Sequence, residues 1–195
     1  MRYLITQSLI SSWLYSFKKD DGYDEFLHTL RRERTPPTFA MLEGQRFESV
    51  INAVCDGAEI TDEHEWFKPI TEIVQIVGNA AQQVKLYRDI KVDGVSFLVN
   101  GVIDYLYAGQ IFDAKYSKTY KVGKYLTSPQ TSFYFYLIPE ARSFTYLVSD
   151  GKWVYRETYR PDEVEPIERT IKQFMGFLDR QNLVDVFCDN WKSRY

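Results

Sequence analysis

The sequence predicts an α+β domain in which helices flank a central sheet, and three observations carry that expectation. β-Branched and aromatic residues gather into a meander between residues 85 and 115, and helical apolar patterns lie on both sides of it in the chain. The composition is 45% hydrophobic, with 15 Tyr, 13 Phe and 4 Trp, which is ample for one core in 195 residues. A single domain over residues 1–195 is therefore expected.

The elements follow in order. The stretch from Ile5 to Tyr15 reads as a capped helix start followed by apolar residues on one face. Residues 23–34 read as a second short helix that Pro36-Pro37 ends, because proline lacks the amide proton and restricts the residue before it. From Thr38, the spacing of Phe39, Leu42, Phe47, Val50, Ile51 and Val54 predicts a helix with an apolar stripe, broken at Gly57, with Glu48 on it. Pro69 precedes a helical segment over about 70–84. Three antiparallel strands are expected at 85–92, 96–107 and 110–115, with turns at Asp93-Gly94 and Ala108-Gly109. A lysine-rich connection leads to a helix over about 128–138. A hairpin of strands 143–149 and 152–159 turns at Asp150-Gly151, and helices over 161–178 and 183–191 follow.

Composition excludes several classes. No apolar run approaches the roughly 18–20 residues that cross a bilayer, so no membrane partner is expected. Met1-Arg2-Tyr3 lacks the pattern of a signal peptide, so the expected address is the cytoplasm. Cys55 and Cys188 alone can build neither a disulfide framework nor an iron–sulfur cluster site, and both read as free thiols. His28 and His64 read as surface or packing residues. The net charge of −3 speaks against coating nucleic acid by bulk attraction but leaves room for a local basic groove.

Candidate chemistry sits in the meander. Asp104 falls in its second strand and Asp113 in its third, on either side of the Ala108-Gly109 turn, so adjacent strands can bring the two carboxylates together. Lys115 lies two residues beyond Asp113 and shares its face. Clustered carboxylates suit hard cations such as Mg²⁺ or Mn²⁺. Spacing alone also fits a turn residue plus an ordinary surface ion pair. The surrounding Ile103, Ile111 and Phe112 favour a site, because a lone charge in an apolar strand is costly without a partner.

Gly101-Val102-Ile103-Asp104, then Ile111-Phe112-Asp113-Ala114-Lys115, then Gln130 and Tyr134 together resemble the PD-(D/E)XK nuclease superfamily. The likeness is to its RecB-like and lambda-exonuclease-like branch, marked by Gly-x-x-Asp, Asp-x-Lys and Gln-x-x-x-Tyr in that order. Gly44 to Glu48 is similar to the helical motif in which a glycine precedes an acidic ligand by four residues. Ile103 stands where the superfamily's name has proline. The resemblance implies a restriction-endonuclease-like α+β fold with a central mixed sheet, its nuclease core at about 38–160 and helical N- and C-terminal flanks. It also implies a Mg²⁺- or Mn²⁺-dependent DNA nuclease, an exonuclease more readily than a site-specific endonuclease, acting in DNA processing or recombination as stand-alone phage enzymes do. Metal ligands would be Glu48, Asp104, Asp113 and the Ala114 backbone carbonyl. Lys115 would position the attacking water, and Gln130 and Tyr134 would contact substrate or orient the site. Ring-forming relatives imply a homo-oligomer, and the missing cysteines exclude the iron–sulfur subgroup.

A basic stripe fits a polyanionic substrate. Lys115, Lys118, Lys121 and Lys124 recur every third residue with Tyr116, Tyr120 and Tyr125 between them, and no acid occurs from Ala114 to Pro139. Lysines neutralise phosphates and tyrosines can stack on exposed bases. No Gly-x-x-x-x-Gly-Lys-Ser/Thr loop occurs, so any unwinding would come from a helicase or recombination partner. The competing expectation is a catalytically silent nuclease-fold protein that binds nucleic acid or a partner.

Overall fold

The computed structural model describes residues 1–193. In chain order it contains β1 (Arg2–Thr6), α1 (Gln7–Tyr15), α2 (Gly22–Leu30), α3 (Phe39–Cys55), α4 (Phe67–Val77), β2 (Ala81–Val92), β3 (Val95–Tyr107) and β4 (Gln110–Tyr116). Then come α5 (Gln130–Leu137), β5 (Ser143–Ser149), β6 (Val154–Tyr159), α6 (Ile167–Arg180) and α7 (Val184–Asn190). The fold is α+β: a mixed six-stranded sheet with helices on both faces. One core packs α1, α2, α5, α6 and α7 on one face, centred on Trp13, Phe26, Phe133, Phe144, Phe174 and Phe187. A smaller core packs α3 and α4 on the other, around Phe47, Ile51, Trp66, Ile70 and Ile73. No helix among the described residues is long and apolar enough to cross a membrane.

The path β1-β3-β4-β5-β6 is parallel at β1–β3 and β4–β5 and antiparallel elsewhere, with β2 antiparallel to β3. Both predicted meander turns form. Asp93 and Gly94, then Ala108 and Gly109, all have positive φ, as a two-residue hairpin turn needs to match the strand twist. Thr6 and Thr38 cap α1 and α3 by accepting from the amides of Leu9 and Met41.

Three expectations change. Residues 2–6 form a strand ahead of the first helix, because Arg2–Thr6 align in parallel with Ser96–Asn100, a pairing some 90 residues away that no local pattern reports. The segment from Ile70 does not stay helical to Val84. It ends at Val77, where Gly78 turns with φ +52, and Ala81–Val84 join β2 because β3 offers them a ladder. Pro69 lies inside the first turn of α4, where its missing amide proton costs nothing. In α3 only the Phe47–Ile51 part of the stripe is buried, and Phe39 and Leu42 are exposed.

Candidate active site

The sheet is split where the carboxylates lie. β2 covers one edge of β3 along nearly its whole length, so β1 and β4 must share the other. β1 pairs only up to Asn100, and β4 pairs only from Tyr105 onward. Residues 101–104 of β3 therefore have no strand partner on that edge. β4 leaves β3 after the Tyr105–Phe112 pair and continues against β5. A fork results, with Asp104 on one arm and Asp113 on the other, one step beyond the last pair.

Backbone direction completes the fork. The Ser117 amide donates to Ser149 of β5 at 2.8 Å, so alternation turns the amides and carbonyls of Lys115 and Asp113 toward β5. The carbonyl of Ala114 then faces the opposite edge, into the fork. Three oxygen sources, two carboxylates and one carbonyl, thus border one gap.

A local distortion places Asp104 there. Gln83 of β2 has φ +50, an unfavoured conformation for a residue with a side chain, and the ladder passes from Gln82–Tyr105 to Val84–Ile103 without Gln83 or Asp104 pairing. Across this point β3 changes faces. Ile103 joins the larger core, whereas Tyr105 joins the smaller one and donates to Asn52 Oδ1 of α3 at 2.6 Å. The amide nitrogen of Gln83's side chain donates to Glu48 Oε1 at 2.9 Å, which holds the third acid of α3 beside the distortion.

Asp113 is 1% exposed. Its Oδ1 accepts from Gln130 Nε2, and its Oδ2 lies 2.7 Å from Lys115 Nζ yet is buried without a hydrogen bond of good geometry. Gln130 is itself held, since Tyr146 Oη lies 3.4 Å from its Oε1 and 2.9 Å from Ser128 Oγ. Burial, first, and the charge of Asp113, second, push the Asp104 carboxyl well above the usual range, with Glu48 adding to the rise and Lys115 opposing it. Burial works against the Lys115 charge, but Asp113 and Asp104 outweigh it and hold the ammonium firmly protonated.

Whether this donor set fits a cation can be tested on its own chemistry. All its groups are oxygen ligands, and Asp104 resists ionising beside Asp113 with one lysine between two acids, so a divalent cation would answer the excess negative charge. Among the described residues no three His, Cys, Asp or Glu groups already converge as a closed cage. The reason is visible: Glu48 is tied to Gln83 and Asp113 to Lys115. Asp104, Asp113 and the Ala114 carbonyl are the groups in place, with Glu48 at the rim.

Gly101 and Tyr134 have a packing explanation. A Cβ at Gly101 would come within 2.9 Å of Tyr134 Cε1 and 2.7 Å of Leu137 Cδ1, so glycine lets α5 lie directly on β3. The Tyr134 hydroxyl donates to the Val102 carbonyl at 2.5 Å. Tyr134 is therefore a buried side chain that packs α5 against β3.

The basic stripe divides. Lys121 and Lys124 are exposed, with Lys124 Nζ donating to Ser117 Oγ at 2.7 Å. Lys118 pairs with Glu43 of α3 at 2.7 Å. Tyr116 lies on the other face of β4, its ring against Phe47 at 5.2 Å and Trp66 at 5.1 Å, and Tyr120 leans on Tyr155 at 4.8 Å. Both rings are half-buried and engaged in packing, which leaves only part of each open to a base.

The sequence reading missed Glu157. This buried carboxylate of β6 accepts from the Tyr120 hydroxyl, from the Gly123 amide at 2.9 Å and from the Tyr159 hydroxyl at 2.8 Å, fastening the lysine loop to the sheet. The available signal was indirect: a thirteen-residue loop without an acid of its own has its anion elsewhere. Gln83 carried no signal at all, since nothing local marks its backbone.

Compared with known proteins, the chain belongs first to a broad architectural class, a mixed sheet with helices on both faces and a polar fork in its middle. More particularly, it is similar in fold to the crystal structure of SSO0001, with a TM-score of 0.50 and 14% sequence identity over 92% of this chain and 78% of that one. At that identity the likeness speaks for the fold alone. No protein-family model and no curated protein matches the sequence.

Proposed function

We propose that this chain is a Mg²⁺- or Mn²⁺-dependent deoxyribonuclease of the PD-(D/E)XK type, an exonuclease that hydrolyses phosphodiester bonds during DNA processing or recombination. One observation carries the reading: Asp104, Asp113, Lys115 and Gln130, spread over 27 positions and three elements, meet at a fork where two carboxylates share a single lysine. A surface ion pair would leave Asp113 solvated. Here it is buried, a costly arrangement that a structural role does not require.

Asp104, Asp113 and the Ala114 carbonyl, with Glu48 swung from Gln83, are the groups that would hold the cation. When bound, it would supply Lewis acidity toward a phosphate oxygen and lower the pKa of a water. Lys115, fixed as a cation, donates to the attacking water and offsets the negative charge that grows on the phosphoryl oxygens. Gln130 keeps the Asp113 carboxylate in one orientation while its own carbonyl is held from behind by Tyr146. Lys121 and Lys124, exposed on the adjoining loop, neutralise phosphates of the strand. The cytoplasm, a homo-oligomeric assembly and a separate unwinding partner belong to the same proposal.

The test compares linear and circular DNA in Mg²⁺ or Mn²⁺, with chelator and Lys115→Ala as controls. Loss of linear DNA alone is the expected result. Cleavage that persists in chelator and in the variant would overturn the mechanism, and absence of all cleavage with intact DNA binding would favour the silent, binding-only reading.

A further inference from the structure

The sheet ends on one side in a strand whose outer edge is its own complement. Among the described residues β2, running from Ala81 to Val92, pairs only with β3, while the opposite margin of the sheet is the short β6. The hairpin turn fixes which groups β2 presents. In a two-residue turn the flanking residues, here Val92 and Val95, exchange both backbone hydrogen bonds, and bonded pairs then alternate along the ladder. Ile90, Arg88 and Leu86 therefore bond to β3, and the amides and carbonyls of Lys85, Tyr87 and Asp89 point away from it. The Tyr136 hydroxyl agrees with this direction, since it donates to the Asp89 carbonyl. A carbonyl has two lone pairs, so Asp89 can accept again.

Side chains alternate along the same strand. Lys85, Tyr87 and Asp89 are exposed, while Val84, Leu86 and Ile90 lie against the larger core. Arg88 is drawn onto α5, with Nη1 donating to the Tyr136 carbonyl at 2.6 Å and its guanidinium 4.8 Å from the centre of that ring. A strand that meets its own copy edge to edge about a two-fold axis runs antiparallel, and each residue opposes one of the same face. With the axis at Tyr87, Lys85 opposes Asp89 of the second copy twice over, and Val84 opposes Ile90. Asp89 also holds Arg2 at 2.6 Å, and a carboxylate can take both cations. An axis at Lys85, Arg88 or Asp89 sets a charge against its own copy, and one at Leu86 leaves Lys85 and Asp89 unmatched. The distortion at Gln83, with φ +50, ends the regular run just before Val84.

We propose that β2 is a dimer contact, pairing from Val84 to Ile90 with the same strand of a second copy about an axis at Tyr87. Outward backbone groups of Lys85, Tyr87 and Asp89 supply the ladder, as in strand addition generally, and the two Lys85–Asp89 pairs set its register. β2 covers the edge of β3 away from the fork, so both forks stay open. The inference gives the homo-oligomer of the nuclease reading its contact, but it rests on the backbone of β2 and not on what the fork cleaves.

Sedimentation equilibrium of the full chain across a range of protein concentrations tests it. The wild type should be a dimer that dissociates on dilution. Tyr87→Pro removes an outward amide and spares the bonds to β3, so it should give a monomer with an unchanged circular dichroism spectrum. Lys85→Asp and Asp89→Lys should each weaken association roughly tenfold, because two attractive pairs become two repulsive ones. An equimolar mixture of these two variants should recover it, since each then meets its complement. A wild type that stays monomeric, an oligomer that Tyr87→Pro leaves intact, or a mixture no tighter than its parts overturns the contact. Should Tyr87→Pro unfold, the mixture decides alone. DNA cleavage by a monomer overturns the contact and spares the nuclease reading, and a dimer that cleaves no DNA does the reverse.

Discussion

Two carboxylates, Asp104 half-buried at the fork and Glu157 buried under the lysine loop, are driven in opposite directions. Glu157 has burial against its charge, yet hydrogen bonds from Tyr120, Tyr159 and backbone amides outweigh it and hold the carboxyl below its ordinary range. Asp104 has burial against it as well, but here the charge of Asp113 adds to it, Lys115 only partly opposes it, Glu48 adds a little more, and the carboxyl is pushed well up. A carboxylate ringed by donors is a structural post, because its charge is already answered. A carboxylate buried beside another acid, with only one lysine to share, is incomplete without a cation or a proton. That contrast separates the residue that holds the loop from the residues proposed to do chemistry.

The largest expected effect comes from exchanging charge for an amide at each place. Asp113→Asn keeps the shape and the contact with Gln130 while removing a metal ligand and the repulsion on Asp104. Nuclease activity should fall at least about a thousandfold, the scale at which a lost electrostatic element of the reaction is felt, while the melting temperature in chelator holds or rises. Glu157→Gln should do the reverse, lowering the melting temperature and leaving kcat nearly unchanged. Measured together, the two variants break the comparison if Asp113→Asn unfolds the protein or if Glu157→Gln abolishes turnover.

Much of the fold was legible in the sequence, for identifiable reasons. Residues 95–116 announce themselves because both turns carry glycine, the first after an aspartate that tolerates positive φ, and the strands are rich in β-branched and aromatic residues. The grouping of Asp104, Asp113 and Lys115 was legible from the strand period and the turn between them, and Gln130 from the resemblance that carries the Gln-x-x-x-Tyr pattern. What was not legible depends on contacts distant in sequence. β1 exists through its pairing with Ser96–Asn100, the end of α4 is set by what β3 accepts, and Tyr116 and Tyr120 pack against Trp66 and Tyr155. The strained Gln83 belongs to the same group, since the geometry that ties it to Glu48 arises only when β2 meets α3.

A smaller effect sharpens the structural half of the contrast. Glu157→Ala leaves two tyrosine hydroxyls and the Gly123 amide without their acceptor in a largely buried place, and the loss should amount to about 2–3 kcal/mol. In a domain of this length that is a fall of very roughly 5–10 °C in melting temperature. The loop it fastens contains Lys118, Lys121 and Lys124, so limited trypsin digestion should cut there early in the variant and late in the wild type. Equal cutting rates would mean that the loop is held by something other than Glu157.

The smallest and most diagnostic effect is in the pH dependence of stability, where the two carboxylates act at opposite ends. Asp104 is raised, so the folded state holds its proton more tightly than the unfolded chain does. Its contribution is complete below the ordinary carboxyl value near 4 and is lost as pH rises through the raised value. Glu157 is lowered, so its contribution is complete above about 4.5 and is lost as pH falls through the depressed value. In chelator, the melting temperature should therefore decline on both sides, with Asp104→Asn flattening the alkaline side and Glu157→Gln the acid side. Mg²⁺ or Mn²⁺ should remove the alkaline decline in the wild type, because a cation bound between Asp104 and Asp113 replaces the proton as the answer to their repulsion and stabilises the form that binds it. If the alkaline side is flat without metal, or unchanged by it, the fork is not an incomplete cation site and the distinction between the two carboxylates collapses to one of burial alone.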